Sequence, residues 1–417
     1  MPRVVILGGG FGGLSAATSL RRAPVDVTLI DRTNHYLFQP LLYQVATGVL
    51  SPADIASPTR FLLRRQTNAE VLMAEVTAVD LAARTVHAGA SAIPFDYLIL
   101  ATGSRHSYFG HPEWEQVAPG LKTLEDARRI RHRFLQAFED AERSTDPAEQ
   151  DALLTFVIVG GGPTGVELAG ALAEIARQAL LHDFRRLHPE SARILLLEGG
   201  PRLLPTFPEP LSARAQRDLG SLGVQCRTNA RVTRITDDAV YVGDERITTR
   251  TVYWAAGNVA SPLVKMLGVA TDRSGRALVE PDLSIPGSPH VFVIGDAAVL
   301  TDVPGVAPAA IQMGAHAAHM IRRTLAGDSR RPFRYRDKGN LAVIGRNRAV
   351  ADFGRLQLTG ALGWWFWLLV HIAYLAGFRN RASVLLEWAY AYFTFRPGAR
   401  LITEEAHETS EAGPRSE

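Results

Sequence analysis

The chain carries a single cysteine, Cys226, in 417 residues. That excludes a disulfide framework, a CxxC redox pair and a cysteine zinc cluster, so no protein dithiol can carry electrons. Net charge is nearly absent too: 45 Lys and Arg against 42 Asp and Glu leave +3, too little for a whole-surface nucleic-acid binder. No nucleic-acid partner is expected. His35, His106, His111, His316, His319 and His371 show no ligand spacing backed by acids or cysteines, so no metal site is expected either. An export signal is also missing, because MPR runs straight into VVILGGGFGG, which reads as structure and places the bulk of the chain in the cytoplasm. What is present is a globular balance, 47% hydrophobic against 21% charged, with length for two or three domains.

The run Val4 to Leu7 reads as a buried parallel strand. It leads into Gly8, Gly10 and Gly13 in the spacing GxGxxG and then a helix, LSAATSLRR. The first glycine permits the tight turn, the second lets backbone approach a pyrophosphate, and the third lets helix and strand pack closely. The helix start offers free N–H groups and a positive dipole end to phosphates. The strand VDVTLI then ends in Asp31, placed to hold a ribose hydroxyl pair. The same grammar recurs in TFVIVGGGPTGVELAGALAEIA, with Gly160, Gly162 and Gly165, and the strand RILLLE closes on Glu198. Two cradles imply two dinucleotides, and no other internal repeat is seen. An acid at Glu198 favours a free 2′-hydroxyl, hence NADH over NADPH, whereas Arg202 a turn later pulls the other way.

Spacing does not decide which cradle takes which cofactor. The chain resembles the two-dinucleotide-binding flavoproteins, the glutathione-reductase-like fold, through three further blocks: DYLILATGS (96–104), TVYWAAG (251–257) and HVFVIGDAA (290–298). The resemblance implies FAD in the first cradle, NAD(P)H in the second, and Asp296 on the flavin ribityl chain. Within that fold, HYLFQPLLYQVATGVLSPADIA (35–56), GGGPTGVELAGALAE (160–174), PGVAPAAIQMG (304–314) and KGNLAVIGRNRAVADFG (338–354) are similar to the type II NADH dehydrogenases, non-pumping NADH:quinone oxidoreductases. The resemblance spans roughly residues 1–402.

The cofactor residues it implies are Gly8, Gly10, Phe11, Gly12, Gly13, Asp31, Gln39, Thr102, Gly103, Gly160, Gly162, Pro163, Thr164, Gly165, Glu198, Ala256, Gly257, Gly295 and Asp296. It places Glu167 near the nicotinamide and flavin as an orienting or charge-balancing group. The alternative is a first-turn carboxylate favoured by the helix dipole. The family's AQxAxQ block at the quinone site stands here as APAAIQ. Gln312 carries over, and Pro308 replaces the first glutamine, a residue also at home in a helix's first turn.

Composition changes after residue 321: residues 322–402 hold fourteen Arg and Lys against four acids, and four of the six tryptophans (Trp364, Trp365, Trp367, Trp388). Aromatic rings beside arginines suit the headgroup layer of a bilayer. The apolar run 361–378 makes about 27 Å of helix against a hydrocarbon core of about 30 Å. The preferred reading is a helical pair lying in the interface on the cytoplasmic side, with a single span and a buried dimer core as competitors.

The expected fold class is α/β: two Rossmann-like domains plus a helical carboxyl-terminal membrane-association segment. The expected division is an FAD domain of 1–117 and 258–325, an NADH domain of 118–257, a membrane and quinone-side region of 326–402, and a disordered tail of 403–417. Residues 126–151 read as a charged, mostly solvated helix and loop. The expected partners are a membrane quinone and the bilayer surface, with a homodimer left open. Two other functions compete: an NADH-dependent reductase of a soluble iron–sulfur protein, and a low-turnover NADH- and FAD-binding redox sensor.

Overall fold

The computed structural model describes residues 1–376, 378–394 and 401–402. Phe395 and the 403–417 tail fall outside them. The strand Arg3–Leu7 is buried along Val4 to Leu7 because it has a parallel neighbour on each side, which explains its unbroken apolar run. Its sheet has six strands in the order Ser284–Ile285, Ser288–Val293, Tyr97–Leu100, Arg3–Leu7, Asp26–Asp31 and Ala69–Met73. All neighbours are parallel except the first pair. Tyr97–Leu100 pairs with Ser288–Val293, so the chain leaves this sheet and returns to it.

The chain between those strands builds a second, wholly parallel sheet in the order Val224–Arg227, Arg193–Leu197, Thr155–Val159, Thr251–Trp254. The outgoing and returning crossings are tied by an antiparallel pairing of Ser104–His106 with Asn258–Ala260.

The helix Leu124–Arg143 corrects the solvated reading of that segment. A capping box between Thr123 and Asp126 starts it. Ile130, Phe134 and Phe138, four residues apart, bury one face, and both phenylalanine rings pack on Phe156 of the second sheet. The flanking charges masked that periodicity.

A three-stranded antiparallel sheet follows (Asn340–Gly345, Arg348–Asp352, Gln357–Thr359) and lies on the second cradle's helix, Pro163–Glu174. Contact is so close that a Cβ on Gly170 would sit 1.8 Å from the Ile344 carbonyl oxygen. Gly170→Ala should therefore destabilise the fold by about 1–3 kcal/mol through forced separation. An unchanged thermal midpoint would count against this packing.

The apolar run 361–378 is not one helix. Gly360–Tyr374 ends where Leu375 turns extended (φ −65°, ψ 132°) and buries its side chain, and Phe378–Thr394 begins a new helix. Fifteen residues give about 22 Å, short of a bilayer core. Among the described residues no helix is long and apolar enough to cross a membrane, and the single helix that a spanning reading draws over 361–378 ends at Tyr374.

Candidate functional site

Both glycine turns lie at the carboxyl ends of their parallel strands, where open α/β sheets bind ligands. In the first, Gly8 takes φ +100°, and a Cβ on Gly13 would lie 1.8 Å from the Gly8 oxygen. In the second, Gly160 takes φ +111°, and the same contact at Gly165 would be 1.9 Å. Each third glycine thus seats its helix on the strand end. By contrast, nothing lies within 4 Å of a Cβ at Gly10 or Gly162, which leaves room for a pyrophosphate. These two residues cap the helices Phe11–Ser19 and Pro163–Glu174 without any side-chain bond, so the helix N–H groups face that space. Gly13→Ala should cost the first cradle its cofactor, and retained flavin colour at wild-type stoichiometry would contradict that.

The two acids repeat one device. Asp31 Oδ2 accepts the Gly9 N–H at 2.6 Å, and Glu198 Oε2 accepts the Gly161 N–H at 2.6 Å. Their second oxygens accept from Thr33 and from the Gly200 N–H. Arg202 donates to the carbonyls of Phe207 and Pro205. Its guanidinium is thereby committed to its own loop, which weakens the case for a 2′-phosphate partner.

Around the first cradle, Phe11 packs edge-on to Tyr36 and Phe38. A Cβ on Gly12 would meet Ile294 and the Ala310 carbonyl. Gly103 and Gly295 take φ +62° and +64°. The Thr102 hydroxyl is buried with no hydrogen-bond partner. An orphaned hydroxyl beside an open glycine turn fits an absent ligand with polar groups, as FAD has.

Asp296 Oδ2 accepts from Ser104 Oγ at 2.9 Å, and Lys122 Nζ donates to the same hydroxyl at 3.0 Å. Burial lowers the Lys122 pKa, against the pull of Asp296 and Asp126. Gln39 donates to the Lys122 carbonyl. Ala256 and Gly257 (φ +70°) follow the strand Thr251–Trp254, and Pro163 and Thr164 open the second cradle's helix, exposed.

Glu167 lies in the helix's second turn, since the first turn holds no acid; the dipole reading is thereby corrected. Half-buried, it lines a cavity of about 150 Å³. Tyr43, Gln44, Glu174, Trp367 and Trp388 line it too. Desolvation lifts the Glu167 carboxyl to about 8, while the Val343 N–H, 3.4 Å away, offsets little. Burial, then the charge of Glu167, pushes the Tyr43 phenol well above its ordinary value. Trp388 donates its indole N–H to Gln44 at 2.6 Å, and Gln44 donates to the Tyr43 hydroxyl at 2.8 Å. Ser383 also donates to Asp54 at 2.6 Å. The last helix is thereby tied to the 35–56 block.

Gln312 stands apart from this cavity. Its amide donates to the Arg336 carbonyl at 2.9 Å and accepts the Arg336 N–H at 3.0 Å. Pro308 sits in the first turn of the helix Ala307–Leu325.

Sequence reasoning passed over Tyr43, Gln44, Glu174 and Lys122. For Glu174 a signal existed: it lies seven residues after Glu167, two turns along one helix face.

The chain matches the pyridine nucleotide-disulphide oxidoreductase family over residues 2–314 and the NDH2 C-terminal domain family over residues 338–397. It is 46% identical to the type II NADH:quinone oxidoreductase NdhA of Mycobacterium tuberculosis, covering 97% of this chain and 90% of the relative. The type II NADH:quinone oxidoreductase Ndh of the same organism is also 46% identical, with the same coverage. Among solved structures, NDH2 of Plasmodium falciparum in complex with NADH superimposes with a TM-score of 0.88 at 21% identity, over 95% of this chain and 99% of the other. The sulfide:quinone oxidoreductase of Aquifex aeolicus gives 0.69 at 19% identity over the full length of both. These two likenesses concern the fold alone.

Proposed function

The chain belongs to the type II NADH:quinone oxidoreductase family, and from that premise we propose that it passes electrons from NADH through FAD to a membrane quinone without pumping protons. The observation that carries this reading is the cavity shared by the second cradle's helix and the aromatic carboxyl-terminal helices, where desolvation pushes the Glu167 carboxyl up to about 8. FAD supplies the two-electron step between the two substrates when bound. The residues assigned to it are the first glycine turn with Asp31, Gln39, Thr102, Gly103, Gly295 and Asp296. Gly160 to Gly165, Glu198, Ala256 and Gly257 are assigned to NADH.

Hydride transfer needs orientation more than an acid or base, and the two cradles provide it. Quinone reduction needs protons, and in this reading Glu167, pushed up to about 8 by desolvation, donates one, in place of the orienting or charge-balancing role that the resemblance implies. Gln312 orders the 336 segment in this reading, since both ends of its amide are engaged.

The proposed division of labour keeps FAD on 1–117 with 258–325, NADH on 118–257, and lipid and quinone contact on 326–402. Attachment is peripheral, on the cytoplasmic face, where NADH is available. Its support is the outward apolar set Leu362, Trp365, Leu369, Leu386 and Phe393, each more than half exposed.

A visible spectrum tests the reaction: flavin bands that bleach with NADH and return on adding quinone are expected. Flavin that stays reduced in the presence of quinone would refute it. Glu198→Gln sets an amide NH2 against one of two backbone N–H donors. A loss of about tenfold in kcat/KM for NADH is expected, with a narrower preference over NADPH. Unchanged values for both nucleotides would remove Glu198 from the site.

A further inference from the structure

Reduction of a quinone to a quinol takes two electrons and two protons. NADH supplies the electron pair and one proton as hydride, so the balance NADH + H⁺ + quinone → NAD⁺ + quinol draws one proton from solvent in each turnover. That proton has to reach Glu167. On the helix carrying it, Glu167, Ala171, Glu174 and Gln178 all line the cavity, at intervals of four, three and four residues, and so share one face. The α-helix ends at Glu174 and continues as a wider turn over Ile175–Ala179, which carries Gln178 to an exposed position.

We propose that Glu174 relays protons from solvent, entering past Gln178, through the cavity to Glu167. The inference rests on the quinone reading above. Glu174 is held in place by the Arg346 N–H, which donates to its Oε1 at 2.7 Å. Two turns separate the carboxyls by about 10 Å along the helix axis, too far for direct transfer, so waters complete the path. The cavity's volume of about 150 Å³ is several times the roughly 10–15 Å³ that one water needs on the same measure.

Burial raises the Glu174 carboxyl, against the lowering pull of the Arg346 N–H and of the Arg348 and Arg346 charges. Both carboxyls are thus shifted upward by burial. The other titratable groups lining the cavity are Tyr43, Arg346 and Tyr392. Tyr43, held protonated, supplies no competing charge near neutral pH. In each cycle Glu167 gives its proton to a quinone oxygen, takes one from the water chain, and Glu174 regains one from solvent. No covalent bond to the protein forms.

The test is Glu174→Gln in the FAD-loaded protein, with the two half-reactions followed separately. The variant's amide oxygen still accepts the Arg346 N–H, so the fold should be kept. Bleaching by NADH should stay within twofold of wild type. Reoxidation by quinone should slow about tenfold, more steeply as pH rises, and imidazole or formate in the buffer should restore it. Ala171→Phe, which plugs the path between the carboxyls, should slow reoxidation similarly. A readout free of turnover is the infrared pH titration of the resting protein, in which Glu174→Gln should shift the midpoint of the remaining Glu167 carboxyl band. The relay is overturned if reoxidation keeps its wild-type rate and pH profile, if weak acids give no rescue, or if bleaching by NADH slows equally. A wild-type protein that quinone fails to reoxidise overturns the parent reading instead.

Discussion

Glu167→Gln is expected to lower the rate of quinone reduction about a hundredfold while NADH still bleaches the flavin at the wild-type rate. Proton donation by a placed side chain contributes about a hundredfold or more, and the amide keeps the shape of the carboxyl without its proton. In the wild type the donor form is the protonated one. Activity toward quinone should therefore hold below about pH 8 and fall as pH rises through it. The variant should lack that limb.

The same carboxyl makes a stability statement. Its folded pKa lies above the ordinary value of 4.5, so between about 4.5 and 8 the folded state keeps a proton that the unfolded chain has lost. The stability present below 4.5 is drained as pH rises through that window, and Glu167→Gln should flatten the slope. Thermal midpoints taken from pH 5 to 9 measure it. Parallel curves for the two proteins would place the carboxyl in ordinary solvent.

The second large effect concerns lipid. Trp365, Leu369, Leu386 and Phe393 are 53%, 63%, 72% and 79% exposed, whereas Trp367, Leu368, Val384 and Trp388 of the same helices are buried. Exchanging the four outward residues for Glu should abolish vesicle binding. At about 1.5–3 kcal/mol for each apolar side chain inserted, the partition constant should fall on the order of a thousandfold or more. Turnover with a short, water-soluble quinone should persist, and turnover with a long-tailed quinone in vesicles should collapse. Flotation of the variant with the vesicles would defeat the proposed attachment. Deleting everything from Arg355 onward is a poorer test, because it strips Trp388 from Gln44 and Val384 from the core.

The two glycine cradles were legible because each is a local device: a strand, a turn, a helix and an acid follow one another along the chain, and the backbone angles they need restrict the residue types. The second strand's acid was readable for the same reason, although its bond to the middle glycine of the turn emerged only in three dimensions. The residues 126–151 were misread as solvated because their charges are dense, while burial of Ile130, Phe134 and Phe138 is decided by the sheet packed against them. The 361–378 run was apolar enough to suggest one long helix, and its break depends on Leu375 finding a buried place.

The cavity belongs wholly to tertiary structure. Gln44 and Trp388 meet across 344 residues, and no spacing rule reaches that far. Sequence alone therefore settled two dinucleotide cradles, the absence of a thiol relay and an aromatic, basic carboxyl terminus, since residue chemistry and local backbone geometry suffice for each. Which carboxyls share a cavity and are pushed upward by burial, and which apolar side chains turn outward, was decided by packing, because desolvation depends on atoms that distant segments bring together.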